Sequence, residues 1–307
     1  MNPKYLTRTI LLLLLLPAIL VESLAWHTPP HQQITRAALD SLPVAMQEKL
    51  GLEKEMVIWV NCMYPDRYFG LAQQGSEKDP NPGPRNREEM KIFCELPDGR
   101  IIHNVTHIRQ KDLVSFEYLL NAIIKNVRQD DMVSAARYMG TLAHLIEDSC
   151  SLAHAGQLPL VVMELRKLQP IPDPPPWVGR LNEHGVPLTA GNLHAAIELT
   201  TSPFNLDGRP PQREGKTVAD AAPKLLDRCY TIVKENRGDL LEIVRATYAN
   251  DLAVMERLRS RAGETGSRAA RRRLLYRFGH RGGRALNGGA DDLIPFACLS
   301  LKPFRRN

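Results

Sequence analysis

"MVSAARYMGTLAHLIEDSCSLAH", Met132 to His154, is the stretch on which the fold turns. Met132, Ala135, Met139, Leu142 and Ile146 recur at steps of three and four residues, the period of one face of an α-helix. Upstream, from Lys111, the residues Phe116, Leu119, Leu120, Ile123 and Val127 keep the same period, and Gln129-Asp130-Asp131 divides the run into two helices. Further helices are expected over His31 to Leu39, over Gly191 to Thr200, and as one or two over Val218 to Arg261, where Ala222, Leu225, Leu226, Cys229, Ile232 and Val233 mark the apolar face. Alternation of the kind that marks a strand is confined to Met90 to His103, which reads as a hairpin around Pro97-Asp98-Gly99. The predicted class is therefore all-α, a single multi-helix domain interrupted by long Pro-rich surface loops at 79–84 and 169–187.

Outside that body the two ends read differently. Lys4 and Arg8, the apolar run Ile10 to Val21 and the small-x-small triplet Ser23-Leu24-Ala25 have the order of a signal peptide over 1–25. The apolar run is shorter than the roughly 20 residues that span a bilayer. Cleavage after Ala25 would make Trp26 the first residue of an exported chain, secreted or periplasmic. Residues 26 to 256 hold 25 Lys and Arg against 30 Asp and Glu, whereas 257 to 307 hold 13 against 3. The basic balance thus belongs to the C-terminal end, and 263–307 is expected to be a weakly ordered Arg-rich tail following a 26–262 domain. Such a tail reads equally as a solvated segment or as a grip on anionic phosphates. The five cysteines (62, 94, 150, 229 and 298) suggest up to two disulfides in an exported chain, with one thiol left over.

The chemistry is concentrated at the end of the opening stretch. In "HLIED" His144 and Asp148 are four apart, so a helix places both on one face, one turn from each other, as two ligands of one metal must be. "HAAIE" repeats the spacing with His194 and Glu198. One such pair is weak evidence, since a His and a carboxylate at helical spacing more often form a surface pair. Two pairs together with His154, His31 and Asp66 form a set of imidazoles and carboxylates without thiolate, which suits catalytic zinc with an open coordination position.

These residues resemble the superfamily of zinc-dependent phospholipases C and fungal single-strand nucleases, from Trp26 to about Thr200. In that family the mature chain begins with Trp, whose amino nitrogen and carbonyl oxygen bind a metal, and a His follows; Trp26 and His31 match. The family's HxxxD and the His six residues later match His144, Asp148 and His154. Its downstream HxxxE or HxxxD matches His194 and Glu198, and its early Asp matches Asp66 of "YPDRY". The segment from Asp131 through Tyr138 and Gly140 also resembles the family's approach to the site. One further ligand falls in "IIHNVTHI", where His103 is preferred to His107 because it follows Ile101-Ile102 and leaves room for a loop before the next helix. The resemblance implies three Zn2+: one held by Asp66, His103, His144 and Asp148, a second by His154, His194 and Glu198, and a third by Trp26, His31 and Asp148.

It also implies a hydrolase of phosphate diesters in which a zinc-activated water attacks phosphorus and Asp66 orients or deprotonates that water. The substrate is expected to be a phospholipid, with a single-strand-type nuclease or 3'-nucleotidase as the alternative. The short Trp26 to His31 spacing favours the nuclease branch and Glu198 in place of Asp the phospholipase branch; the chain's modest aromatic content disfavours a base-stacking groove. A third reading is a non-catalytic helical protein that folds around structural zinc. Trp177, after three prolines, is the candidate for peripheral membrane contact, whereas Trp59 in "MVIWV" reads at least as readily as buried packing. Cys150 reads as packed or disulfide-bonded. No obligate protein partner is implied.

Overall fold

Asp131 starts the central helix. Its side chain accepts a hydrogen bond from the Ser134 backbone N–H at 3.0 Å, satisfying one of the donors that every helix start leaves open. Asp130 before it takes a left-handed φ of 59°, which ends the preceding helix and turns the chain back along it. The computed structural model describes 29–74, 87–102, 109–173, 192–198 and 215–271, together with 175, 180–181 and 187–188.

In chain order the helices are α1 (Pro29–Asp40), α2 (Val44–Leu50), α3 (Glu53–Trp59), α4 (Tyr64–Gln74), α5 (Arg87–Cys94), α6 (Arg109–Arg128), α7 (Met132–Cys150), α8 (Leu158–Leu168), α9 (Leu193–Glu198), α10 (Val218–Arg237), α11 (Leu240–Ala249) and α12 (Leu252–Arg271). Short 3-10 turns, Asn61–Met63 and Leu152–His154, precede α4 and follow α7. The only strands among the described residues, Arg180–Leu181 and Pro187–Leu188, form a two-residue antiparallel pair with Arg180 opposite Leu188. The fold is all-α.

From Tyr138 to Cys150 every residue of α7 is buried. A helix hidden on all sides must be surrounded, and α1, α3, α6, α10 and α12 all pack against it. The larger apolar core lies around α7, with Phe116, Leu119, Met139, Leu142, Leu225 and Ile232 among its members. A second core joins α8, α9, α11 and α12 through Leu165, Ile197, Ile243, Val244, Met255 and Leu258. The C-terminal end of α7 and the turn Leu152–His154 run between the two.

Several expectations change. Met90 to His103 is not a hairpin: α5 takes Met90 through Cys94, and only a single bridge, Glu95 to Ile101, spans a turn in which Gly99 adopts a φ of 80°. The region expected to form one or two helices after Val218 forms three. Helix α12 continues past residue 262 to Arg271. Cys62, Cys94, Cys150 and Cys229 are buried free thiols, so no disulfide joins the described cysteines. Burial pushes all four thiols up, that of Cys229 to about 12. Trp59 is half exposed, with its indole N–H donating to Glu55 and the Arg36 guanidinium over its ring, and is not core. Trp177 and Cys298 lie outside the described residues.

Candidate metal centre

His144 sits at the buried end of α7, where Gly140, one turn earlier, lets another part of the chain come close. A Cβ at Gly140 would collide with the backbone carbon and Cβ of Asn61, so the 3-10 turn Asn61–Met63 can lie directly on α7. That approach brings the Cys62 carbonyl to 2.7 Å from His144 Nδ1. The carbonyl can only accept, so Nδ1 carries the proton and Nε2 keeps its lone pair when the ring is neutral. Nε2 then faces Asp66 Oδ1, on the first turn of α4, at 3.2 Å and Asp148 Oδ2 at 3.5 Å.

Around Asp148 the other predicted groups gather. His31 Nε2 is 4.0 Å and His154 Nε2 3.5 Å from Asp148 Oδ1. His154 Nε2 is also 3.3 Å from Glu198 Oε1, while His194 Nε2 lies 3.1 Å from Glu198 Oε2. The His31 and His144 rings stack 4.5 Å apart and 10° from parallel; those of His154 and His194 meet edge to face at 4.7 Å. His31, His144, Asp148 and Glu198 are buried, His154 is nearly so, and His194 opens to solvent at 40 % exposure.

Two clusters could hold metal ions: His31, His144 and Glu147, and His154, His194 and Glu198, the ligand atoms within each lying no more than 4.8 Å apart. The separations fit that use. A cation bonded at about 2.1 Å to a nitrogen and an oxygen in tetrahedral geometry holds them about 3.4 Å apart. The four nitrogen-to-oxygen distances from His144 and His154 run from 3.2 to 3.5 Å. Of the implied ligands the structure thus brings together Asp66 with His144 and Asp148, His154 with His194 and Glu198, and His31 with Asp148. Trp26, His103 and His107 lie outside the described residues.

The supports come from distant parts of the chain. Ser151 donates to Glu198 Oε1 at 2.8 Å and accepts from the Ala153 N–H, tying the turn Leu152–His154 to α9. Asn236 of α10 donates to the Cys150 carbonyl at 3.0 Å, closing the end of α7. Arg259 of α12, itself buried, donates to the carbonyls of Ala196 and Ile197, both at 2.5 Å, and so places a cation at the C-terminal end of α9, where the helix dipole favours one.

Charge within the centre is balanced by protons when no cation is bound. Burial would lower the His144 imidazole, but Asp148, Asp66 and Glu147 outweigh it and raise it to about 10. Burial likewise opposes His154, which Asp148 and Glu198 raise to about 9. Glu198 is pushed up by burial and more strongly down by His194 and His154, to about 2. A bound cation replaces those protons, so affinity should rise with pH.

Beside His194 runs a groove of about 810 Å³ between α8, α9 and α11, with walls formed by Ala153, Leu158, Val162, Leu193 and Tyr248. Its walls are mainly apolar, and Tyr248 and the His194 imidazole are the rings among the described residues that line it.

The sequence reading missed Glu147, although it stands three residues after His144 and thus on the same helical face. It also missed Thr35, one turn after His31. The Cys62 carbonyl, Asn236 and Arg259 carry no signal in sequence, because only tertiary packing brings them here. Comparison with protein-family models, with curated protein sequences and with solved structures gives no match to the chain.

Proposed function

We propose that the chain is a secreted zinc-dependent phosphodiesterase of the phospholipase C type. The observation that supports this reading best is Asp148, whose carboxylate lies within 4.0 Å of Nε2 of His31, His144 and His154 and could serve with all three imidazoles in holding cations. Imidazole and carboxylate without thiolate form a donor set that suits catalytic zinc. The resemblance stated above implies two further ligands, Trp26 once signal cleavage frees its amine, and His103, both outside the described residues. Zinc held there would supply polarisation of the phosphoryl oxygens and a water acidic enough to ionise near neutral pH.

The remaining work falls to the chain's own side chains. Asp66 is the partly exposed member, 21 % accessible and adjoining His144, and is the group placed to orient the attacking water and take its proton. His144 and Asp148 are too deeply buried for that role and act as ligands. The groove beside His194 seats the apolar part of a lipid diester against its aliphatic walls. A nucleic acid would find there only the Tyr248 ring beyond the candidate ligand His194 on which to stack, so the nuclease reading stands second.

The test is hydrolysis of phosphatidylcholine and of single-stranded DNA, measured side by side on protein beginning at Trp26, with chelator and with zinc restored. Zinc-dependent release of phosphocholine is the expected result. Nucleotide release instead would move the protein to the nuclease branch. Zinc binding without either activity would leave the non-catalytic, zinc-stabilised reading.

A further inference from the structure

Glu147 precedes Asp148 and points its carboxylate to the opposite side of His31. It is 1 % exposed, and a carboxylate so deep in a protein is tolerated only when its oxygens are engaged. Both are. His31 Nδ1 lies 2.6 Å from Oε2, and the Thr35 hydroxyl donates to Oε1 in a short hydrogen bond. His31 and Thr35 stand four apart on α1, so one carboxylate straps a single face of α1 to α7.

This contact decides which nitrogen of His31 meets a cation. Nδ1 carries the proton shared with Glu147, so Nε2, on the far edge of the ring and facing Asp148, keeps the lone pair. The stacking of His31 on His144 fixes the ring plane as well. His144 is oriented by a neutral carbonyl, whereas His31 is oriented by a charged group, which makes the imidazole a stronger donor and adds a negative charge beside the centre.

We infer that Glu147 is a positioning residue for His31 and not itself a ligand, an inference that rests on the metal-centre reading above. Glu147 can be grouped with His31 and His144 as a set of ligands by distance alone. Two ligands of one tetrahedral cation stand about 3.4 Å apart, however, whereas Oε2 lies 2.6 Å from His31 Nδ1, the separation of a hydrogen bond, and Oε1 accepts from the Thr35 hydroxyl. The geometry favours a carboxylate, imidazole, metal relay over direct ligation.

The test compares the wild-type chain with Glu147→Gln and Glu147→Ala. Zinc content is measured at saturation, affinity by competition with a chelator, and the protonation of the His31 ring nitrogens by long-range 1H–15N NMR of the metal-free protein. Glu147→Gln, whose amide oxygen can still accept from Nδ1, is expected to keep the Nδ1–H tautomer and full zinc content while the site that His31 serves loses about tenfold in affinity. Glu147→Ala is expected to lose the tautomer and about 100-fold in affinity at that site. Loss of a whole zinc equivalent in saturated Glu147→Gln would overturn the inference, because that is how a ligand behaves. Wild-type affinity in both variants would overturn it too. Should Glu147→Ala fail to fold, the Glu147→Gln outcomes decide alone. A wild-type chain that binds no zinc overturns the metal-centre reading itself, and that failure is seen before any variant is compared.

Discussion

His144 can offer Nε2 to a cation only while the Cys62 carbonyl holds its other nitrogen, and that carbonyl is there only because residue 140 lacks a side chain. Gly140→Ala should therefore act on the centre without touching it. The methyl group meets backbone, which cannot rotate away, so the turn Asn61–Met63 must shift. Overpacking of this kind costs about 1–3 kcal/mol. Urea unfolding should show that loss, and zinc affinity should fall with it. Full affinity in a destabilised Gly140→Ala would mean that the Cys62 carbonyl does not govern His144. At this scale the sequence spoke clearly where ligands repeat at helical spacing, as in His144 with Asp148 and His194 with Glu198. It was silent on groups that act through the backbone. Glu147 and Thr35 were legible in principle, each one turn from a named histidine, but the pairing of the two across α1 and α7 is a tertiary fact.

Among the elements, α9 is the most dependent on its neighbours. It spans only Leu193–Glu198, too short to persist alone, yet it carries both His194 and Glu198. Arg259 of α12 holds its last carbonyls, and Ser151 holds Glu198. Arg259→Ala leaves those buried carbonyls without their charged donor, a loss of about 1.5–3 kcal/mol. The expected outcome is weaker zinc binding at the His154, His194 and Glu198 cluster, with the His31 and His144 end retained. Metal titration followed by the ring signals of the individual histidines checks this, and equal loss at both ends would rule out a local role. Helix length also explains what the sequence hid. The long, periodic α6 and α7 are legible, including the break at Gln129-Asp130-Asp131, and so is the apolar face of α10, though not its end at Arg237. Helices α2, α3 and α5, of 7, 7 and 8 residues, are too short to show a period, and α5 reads as one arm of a hairpin because Ile92 and Phe93 precede a genuine turn.

For the molecule as a whole, the centre lies between two cores and its charge state bears on both. His144 and His154 are raised from 6.5 to about 10 and about 9 in the folded chain. A raised histidine stabilises the fold fully below its unfolded pKa, and that contribution is lost as pH climbs through the folded value. Metal-free protein should therefore melt at progressively lower temperature from about pH 6.5 to about pH 10, whereas zinc-loaded protein, whose cations replace the protons, should hold its midpoint or gain. Calorimetry on the chelated and loaded forms across that range makes the comparison. A metal-free midpoint that rises over the same interval would show that the carboxylates do not hold those protons.

The buried thiols have a use of their own. Cys94 closes α5, Cys150 ends α7 and Cys229 lies within α10, each shielded from solvent and resistant to ionisation. A small alkylating reagent can reach them only when the surrounding structure opens, so the rate of modification at each position clocks the opening of its own neighbourhood. The chain thus carries built-in reporters, spaced along three helices, that need no engineered label. Added zinc should slow the Cys150 clock most, since that thiol stands two residues beyond Asp148, and mass spectrometry of timed quenches would show in which order the regions come apart.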